Sequence, residues 1–295
     1  ESSAASDVYK RQMLRIAIQS KGRLYEESMA LLEEAGIKIP GGKRTLLVPA
    51  RNFPVEVLFL RDDDIPESVA SGVADVGIVG LNEVMEKRCP VGVLKKLGFG
   101  KCRLSLAIPQ DIDYQDRNWF SGKKIATSYP GILSDYLHKN GIVSDIHVIT
   151  GSVEIAPGIR LADAIFDIVS SGSTLVSNRL KEVETVVESE AVLIGTDSIS
   201  SEKRGILDEL LFRFDSVQAA DDKKYILMNV PQKKLNDVLS VLPGIKSPTV
   251  MPLADKEWCS VHTVLDEKCF WEIINRLKTA GAEGILVLDI EKMIL

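Results

Sequence analysis

Apolar residues recur along this chain in two rhythms, and the switches between them lay out its elements. Leu14-Arg-Ile-Ala-Ile18 alternates as a short strand, with Lys21-Gly-Arg23 as the turn after it. From Glu26 to Ala35 the apolar Met29, Leu31, Leu32 and Ala35 keep helical spacing, and Gly36 is the stop. Strands are expected at Thr45–Val48 and Val55–Leu60, then a helix capped by Asp64 with Pro66 in its first turn, where a missing N–H costs nothing. Ala74–Val79 is an unbroken apolar run ending in glycine, the pattern of a parallel strand covered on both faces. Leu104–Ile108 is a further strand.

A second unit is expected from Pro109. Strand Lys124–Ala126, helix Ile132–Asn140 stopped by Gly141, strand Ile146–Val148 and an apolar strand through residues 163–169 give a β-α-β-α-β rhythm. Glu184–Val187 and Ala191–Ile194 read as strands that carry the chain back to the first unit. The expected division is residues 13–108 with 184–220 as one lobe and 109–183 as the other, two crossings making a hinged body with a cleft. Ligands in such sheets bind at the carboxyl ends of strands, so the turns after Ile18, Val79, Ala126 and Val169 converge on that cleft. Residues 221–295 read β-α-β-β-α-β, with strands Tyr225–Val230, Thr249–Met251, Ser260–Leu265 and Ile285–Ile290 and helices Lys233–Leu242 and Cys269–Ala280; that order is the ferredoxin-like unit. Residues 1–12 are polar and small, with no apolar core of a signal segment; they are expected to be a disordered leader, with the native start at Met13.

Composition narrows the partners. The chain has 295 residues, 45% hydrophobic and 26% charged, which is ordinary for a globular protein, and its net charge of −6 argues against a nucleic-acid or anionic-membrane surface as the main partner. No apolar run reaches the length of a membrane span. Cys89, Cys102, Cys259 and Cys269 lack C-x-x-C spacing and the three histidines are scattered, so neither a zinc site nor a disulfide framework is expected, and reduced thiols in a cytoplasmic protein are the simplest reading.

The densest chemistry lies between Gly151 and Leu175. On a strand, Asp163 and Asp167 point to the same side with Ile165 between them, while Ala164, Phe166 and Ile168 fill the other. Ser170, Ser171, Gly172, Ser173 and Thr174 follow: Gly172 lets the backbone turn its N–H groups inward, and the hydroxyls add donors. With a helix beginning near Leu175, this is a cradle for a phosphate. Carboxylates beside such a cradle suit a sugar phosphate, the acids taking ribose hydroxyls and the loop the 5-phosphate. The plainer reading is a surface turn with two solvated aspartates. Lys21 and Arg23 around Gly22 are candidates to meet a polyphosphate, against the plainer reading of a solvated turn. Asp75 and Gly80 bracket a glycine-bearing strand, where Asp75 has pairing within the core as its rival role. Arg103 suits phosphate, with an ion pair as its rival. Asp62, Asp63 and Asp64 tempt a metal reading, but Pro66 close behind makes them the start of a helix.

This segment resembles the motif of the ATP phosphoribosyltransferase family, and so do further blocks in order along the chain: Gln19-Ser-Lys-Gly-Arg-Leu24, Arg61-Asp-Asp-Asp-Ile-Pro66, Ala74-Asp-Val-Gly-Ile-Val-Gly80, Phe99-Gly-Lys-Cys-Arg-Leu-Ser-Leu106 and Lys124-Ile-Ala-Thr-Ser-Tyr-Pro-Gly131. The run from Gly284 to Ile294 resembles the extra domain of the family's long form. The resemblance implies a bilobed catalytic body like a type II periplasmic binding protein, and transfer of phosphoribose from phosphoribosyl pyrophosphate to N1 of the adenine of ATP, the first step of histidine biosynthesis. It implies Mg²⁺ held mainly by pyrophosphate oxygens, a C-terminal domain that binds histidine as inhibitor, and a homo-oligomer passing from dimer to hexamer. By resemblance Lys21, Gly22 and Arg23 contact ATP or pyrophosphate, Tyr129 adenine or sugar, and Glu154 the sugar phosphate, with Asp163 and Asp167 on the ribose and Ser171 to Thr174 on the 5-phosphate. No residue is expected to act as nucleophile or base. One position departs from the pattern: the family has glycine where this chain has Arg160, with Gly158 two residues earlier. Two readings of other classes remain open at this point, a non-catalytic small-ligand sensor and an inactivated homologue, the second raised by Arg160.

Overall fold

Buried apolar strands with polar turns assemble into three sheets in the computed structural model, which describes residues 13–40, 45–243 and 247–294. The expected leader at 1–12 lies outside those residues. Two compact units divide between Glu209 and Leu210, inside a twenty-residue helix, and not at residue 221, where the β-α-β-β-α-β pattern was expected to open a unit.

The first unit holds two sheets. Strands β1 (Leu14–Gln19), β2 (Leu47–Pro49), β3 (Val55–Leu60), β4 (Val76–Gly80), β5 (Gly92–Lys96) and β11 (Ala191–Gly195) form the first, in the order β2-β3-β1-β4-β11-β5. β1, β3 and β4 run parallel, and β11 enters antiparallel between β4 and β5. The second sheet contains β6 (Cys102–Pro109), β7 (Lys124–Thr127), β8 (Asp145–Val148), β9 (Ala164–Val169) and β10 (Leu180–Ser189), ordered β10-β6-β9-β7-β8. β7, β8 and β9 are parallel, while β6 lies antiparallel between β9 and β10. With the extra edge strand β2 set aside, β11 and β6 taken as the strand n next to a crossing, and β1, β3, β4, β5 or β7, β8, β9, β10 counted as 1 to 4, both lobes read 2-1-3-n-4. That repeated order with two crossings is the type II binding-protein architecture.

Within the first unit the two lobe boundaries also differ from the sequence reading. Leu104–Ile108 was expected in the first lobe, and residues from 184 as the return to it. Both β6 and β10 instead pair within the second sheet, so the crossings fall near residues 97–101 and at Glu190. Neither strand carries a mark of which sheet it joins: Leu104, Leu106 and Ile108 are buried with Ile125 and Phe166, but any covered sheet would accept them. Helix α1 begins at Arg23, three residues earlier than expected, and the edge strand β5 escaped notice because Lys95 and Lys96 interrupt its apolar pattern.

The remaining helices are α2 (Ile65–Ala70), α3 (Leu81–Lys87), α4 (Pro130–Lys139), α5 (Ser173–Ser177) and α6 (Ser201–Ala220). Pro66 sits in the first turn of α2 as expected. Gly77 in β4 packs under α2 so closely that a Cβ there would come within 2.6 Å of Ile65 Cγ2.

The second unit has β12 (Lys223–Pro231), α7 (Leu235–Val241), β13 (Thr249–Pro252), β14 (Trp258–Asp266), α8 (Glu267–Ala280) and β15 (Glu283–Asp289). Its antiparallel order β13-β14-β12-β15 is the ferredoxin-like one. Phe270, Ile273 and Leu277 of α8 bury against Ile226, Met228 and Val261.

Candidate functional site

Parallel strands put their carboxyl ends on one side of each sheet, and the turns there build the cleft between the two lobes. Gly22 takes φ +92 between β1 and α1, a conformation that strains any side chain. It lets α1 start immediately, so Arg23, its first residue, faces the opposite lobe. The Arg23 guanidinium donates to Glu27 Oε1 at 3.1 Å and reaches Ser170 Oγ of the second lobe at 3.5 Å. Lys21 is exposed at the tip of the same turn.

From the second lobe, Ser170 to Thr174 follow β9. Gly172 has φ +80, Ser171 Oγ and Ser173 Oγ lie 3.0 Å apart, and the Ser173 N–H donates to Ser171 Oγ at 3.4 Å. α5 starts at Ser173, two residues earlier than expected. Asp167 stands at the carboxyl end of β9 on the face of Ile165, its Oδ1 accepting from the Ile168 N–H at 2.8 Å. Burial pushes its carboxyl up to about 6, the Ile168 N–H opposes this, and the charge of Glu154 adds to it. Glu154, in a 3-10 turn (Val153–Ile155) against β9, is thereby brought to Asp167.

Gly80 closes β4 at the cleft; a Cβ there would lie 2.4 Å from Asn82 Oδ1, so only glycine lets the Asn82 side chain fold back over it. Asn82 and Glu83 open α3 and are buried. Arg23, Glu27, Asp62, Glu83, Lys101 and Ser170 are among the residues around a cavity of about 270 Å³. A second cavity of about 400 Å³ is lined by Lys96, Lys101, Arg103, Ser170 and Glu188. Both therefore bring lysines or arginines together with Ser170.

Four residues singled out from the sequence stand elsewhere or are already engaged. Asp163 precedes β9 at its amino end, where its Oδ2 accepts from the Lys124 N–H at 2.9 Å. Four residues of strand span roughly 13 Å, so the shared face with Asp167 does not mean a shared ligand. Asp75 lies at the amino end of β4, accepting from the Arg15 N–H at 2.7 Å and pairing with Lys203 at 2.7 Å; it takes the rival reading of pairing in the core. Tyr129 is only 8% exposed. Its hydroxyl donates to Glu83 Oε1 at 2.8 Å, and burial together with that carboxylate drives its pKa upward, so it ties the lobes together and offers no hydroxyl to the cleft. Arg103 is bound through Nε and Nη2 to the two oxygens of Glu182 at 2.6 and 2.5 Å, the ion pair that was its rival role. Asp62 to Asp64 form a 3-10 turn leading into α2.

The sequence reading missed Asn82, Glu83, Glu182 and Ser189. Ser189 Oγ donates to Asn82 Oδ1 at 2.8 Å, and Asn82 Nδ2 donates to Glu83 Oε1 at 3.0 Å. Asn82 and Glu83 lie two and three residues after the Gly80 block, and that proximity is the signal that marks them.

Arg160 lies away from the cleft with φ +61, the left-handed region that favours glycine. Such a backbone costs a non-glycine residue roughly 1–2 kcal/mol, part of which glycine returns through its freer unfolded chain. Arg160→Gly is expected to stabilise the first unit by about 0.5–1 kcal/mol, seen as a melting temperature higher by roughly 2 °C. An unchanged or lower melting temperature would show that the arginine side chain compensates its own strain.

Among the described residues no helix is long and apolar enough to cross a membrane, and no three His, Cys, Asp or Glu side chains converge as a metal site.

Two lobes of the same strand order and two crossings define a type II binding-protein body, with a serine-rich loop facing an arginine across the cleft and a ferredoxin-like unit after it. Residues 61–216 match the family described as ATP phosphoribosyltransferase, and residues 220–292 match the C-terminal domain of HisG. An ATP phosphoribosyltransferase of Bacteroides fragilis is 70% identical over 283 residues, 96% of this chain and all of the relative; one of Phocaeicola vulgatus is 71% identical over the same spans. A chain of the ATP phosphoribosyl transferase (HisG:HisZ) complex from Thermotoga maritima superposes with a TM-score of 0.59 at 27% identity, covering 68% of this chain and 98% of that one. The chain belongs to the ATP phosphoribosyltransferase family, in the long form that carries the C-terminal domain. It is accordingly a pentosyltransferase of histidine biosynthesis.

Proposed function

We propose that the cleft joins ATP to phosphoribosyl pyrophosphate, N1 of the adenine attacking C1 of the ribose. The observation that carries this reading is the approach of Arg23 to Ser170 at 3.5 Å, which brings the first motif turn and the phosphate loop together across the cleft. The new bond forms from the N1 lone pair, and the C1–O bond breaks with its electron pair leaving on pyrophosphate. No base is needed before attack. The work falls to alignment of two anions and to stabilising the departing polyanion.

Ser170, Ser171, Ser173 and Thr174, with the Gly172 backbone, take the 5-phosphate; Asp167, beside Glu154, takes ribose hydroxyls; Lys21 and Arg23 take the pyrophosphate or the ATP phosphates, and Gly80 lets a substrate approach the backbone. Mg²⁺, bound through the pyrophosphate oxygens, would neutralise leaving-group charge. The carboxylates that the protein offers at the cavity wall are Glu27, Asp62 and Glu83, of which Glu83 is already engaged by Tyr129 and Asn82. The C-terminal unit binds histidine and inhibits, with a shift from dimer to hexamer, and the enzyme is cytoplasmic. Inhibition requires histidine to bind one assembly more tightly than the other.

Formation of phosphoribosyl-ATP, followed by ultraviolet absorbance with pyrophosphatase present, tests the reaction. Product that needs both substrates and Mg²⁺ is expected, with a rate that falls when histidine is added. No product from protein that still binds ATP would return the sensor reading.

The Asp167 carboxyl gives a pH signature. Only its ionised form accepts from two ribose hydroxyls, and its pKa is pushed up to about 6. Below that pH, kcat/KM for phosphoribosyl pyrophosphate is expected to fall roughly tenfold per unit, a limb absent from Asp167→Asn. The stability effect has the opposite sign: a carboxyl whose pKa is raised on folding stabilises the native state as pH falls from about 6 toward 4.

A further inference from the structure

Arg103 and Glu182 sit on neighbouring strands, yet their contacts reach the phosphate loop. Both carboxylate oxygens of Glu182 accept from the guanidinium, at 2.6 Å from Nε and 2.5 Å from Nη2. This is the planar two-point pairing that fixes an arginine's orientation. With the fork held there, Nη1 donates to the backbone carbonyl of Ser170 at 3.1 Å, the first residue of the loop. The side chain of that same Ser170 is the one Arg23 reaches from the other lobe.

Glu182 is itself held. Ser105, fully buried, donates its Oγ to Glu182 Oε1 at 2.7 Å, and Thr185 Oγ1 donates to the same oxygen at 3.1 Å. The strand is bent to allow this. β10 breaks register with β6 between Glu182 and Glu184 and again between Thr185 and Val187, irregularities of the kind that re-aim side chains. One acid therefore collects an arginine and two hydroxyls, and its charge is spent on an arginine that touches the loop. The Arg103 guanidinium and these hydroxyl donors hold its carboxyl down at about 2.

We infer that Glu182 is a positioning residue for phosphoribosyl pyrophosphate: it locks the Arg103 fork so that Arg103 pins the Ser170 carbonyl and fixes the mouth of the phosphate loop. This rests on the reading of residues 170–174 as the 5-phosphate site. Arg103 then serves the loop as a strut.

A double-mutant cycle read in Michaelis constants tests it. Glu182→Gln keeps the shape but removes the charge that orients the fork. It is expected to raise KM for phosphoribosyl pyrophosphate about ten- to thirtyfold, leaving KM for ATP and kcat within about threefold. In an Arg103→Lys background, where no fork exists to be locked, the same change is expected to add less than about twofold. Ser105→Ala, which loosens Glu182 and keeps its charge, is expected to raise the same KM two- to fourfold and stands as the test should Glu182→Gln not fold. An unchanged KM for phosphoribosyl pyrophosphate, an equal rise for both substrates, or the full effect persisting beside Arg103→Lys would each overturn the inference. Calorimetric titration of the wild-type chain with phosphoribosyl pyrophosphate separates this from the reading beneath it. If the wild type binds none, the phosphate-site assignment fails; if it binds and Glu182→Gln binds equally well, only the positioning role fails.

Discussion

Arg23→Ala is expected to lower kcat/KM for phosphoribosyl pyrophosphate by about a hundred- to a thousandfold, the range found when one preorganised donor to developing charge is removed. The Arg23 side chain is 65% exposed, and it contacts a neighbouring glutamate one helical turn away at 3.1 Å and the Ser170 hydroxyl at 3.5 Å. Exposed pairs of this kind contribute at most about 1 kcal/mol to folding, so the melting temperature should scarcely move. Lost activity with unmoved stability would mark a group held for a ligand. The check is steady-state kinetics with both substrates varied, alongside thermal unfolding. A loss smaller than about tenfold would remove Arg23 from the leaving-group site, and Lys21 would become the stronger candidate in that turn.

Glu83→Ala carries the largest expected effect on stability, about 3 kcal/mol. The carboxylate is buried between the lobes, accepting from the Tyr129 hydroxyl at 2.8 Å and from Asn82 Nδ2 at 3.0 Å. Removing it strands two buried donors, at roughly 1–3 kcal/mol each when unsatisfied, with partial recovery because Asn82 also reaches the Tyr129 oxygen at 3.3 Å. Burial raises the pKa of Glu83 itself, with Tyr129 opposing, so a neutral replacement of the same shape is well tolerated: Glu83→Gln should cost less than about 1 kcal/mol. Unfolding of the first unit followed by urea titration compares the two. Equal costs for alanine and glutamine would mean that charge, and not the satisfied hydrogen bonds, holds this point. The same seam includes Glu86, whose two oxygens accept from the Gly131 and Ile132 N–H groups at 2.8 and 2.9 Å. A first-lobe acid thus caps the second lobe's α4, satisfying amides that the start of a helix leaves unpaired.

Much of this protein was legible in one dimension because the relevant physics is local. Period-2 and period-3.6 patterning located most strands and helices, glycine and proline marked their ends, and the ferredoxin-like order of the last unit followed from element succession alone. The turn at Ser170 to Thr174 was legible too, since its residues are contiguous and Gly172 takes the positive φ expected of it. At Arg160 the departure from the family's glycine coincides with a left-handed backbone.

What tertiary structure decided concerns residues far apart in sequence. Nothing in Leu104–Ile108 or in residues 180–189 says which sheet they join, because an apolar strand is accepted by any covered sheet; the answer came from pairing with β9 and with each other. Alternation placed Asp163 and Asp167 on one face but is silent about which end of the sheet carries the ligand, and the length of β9 separates them. Arg103 and Tyr129 carried ligand-like chemistry, yet their partners Glu182 and Glu83 lie 79 and 46 positions away. A charge or hydroxyl in a sequence states what it can bind. Only the packed chain, by bringing an acid to it or leaving it facing the cleft, determines whether that capacity is already used.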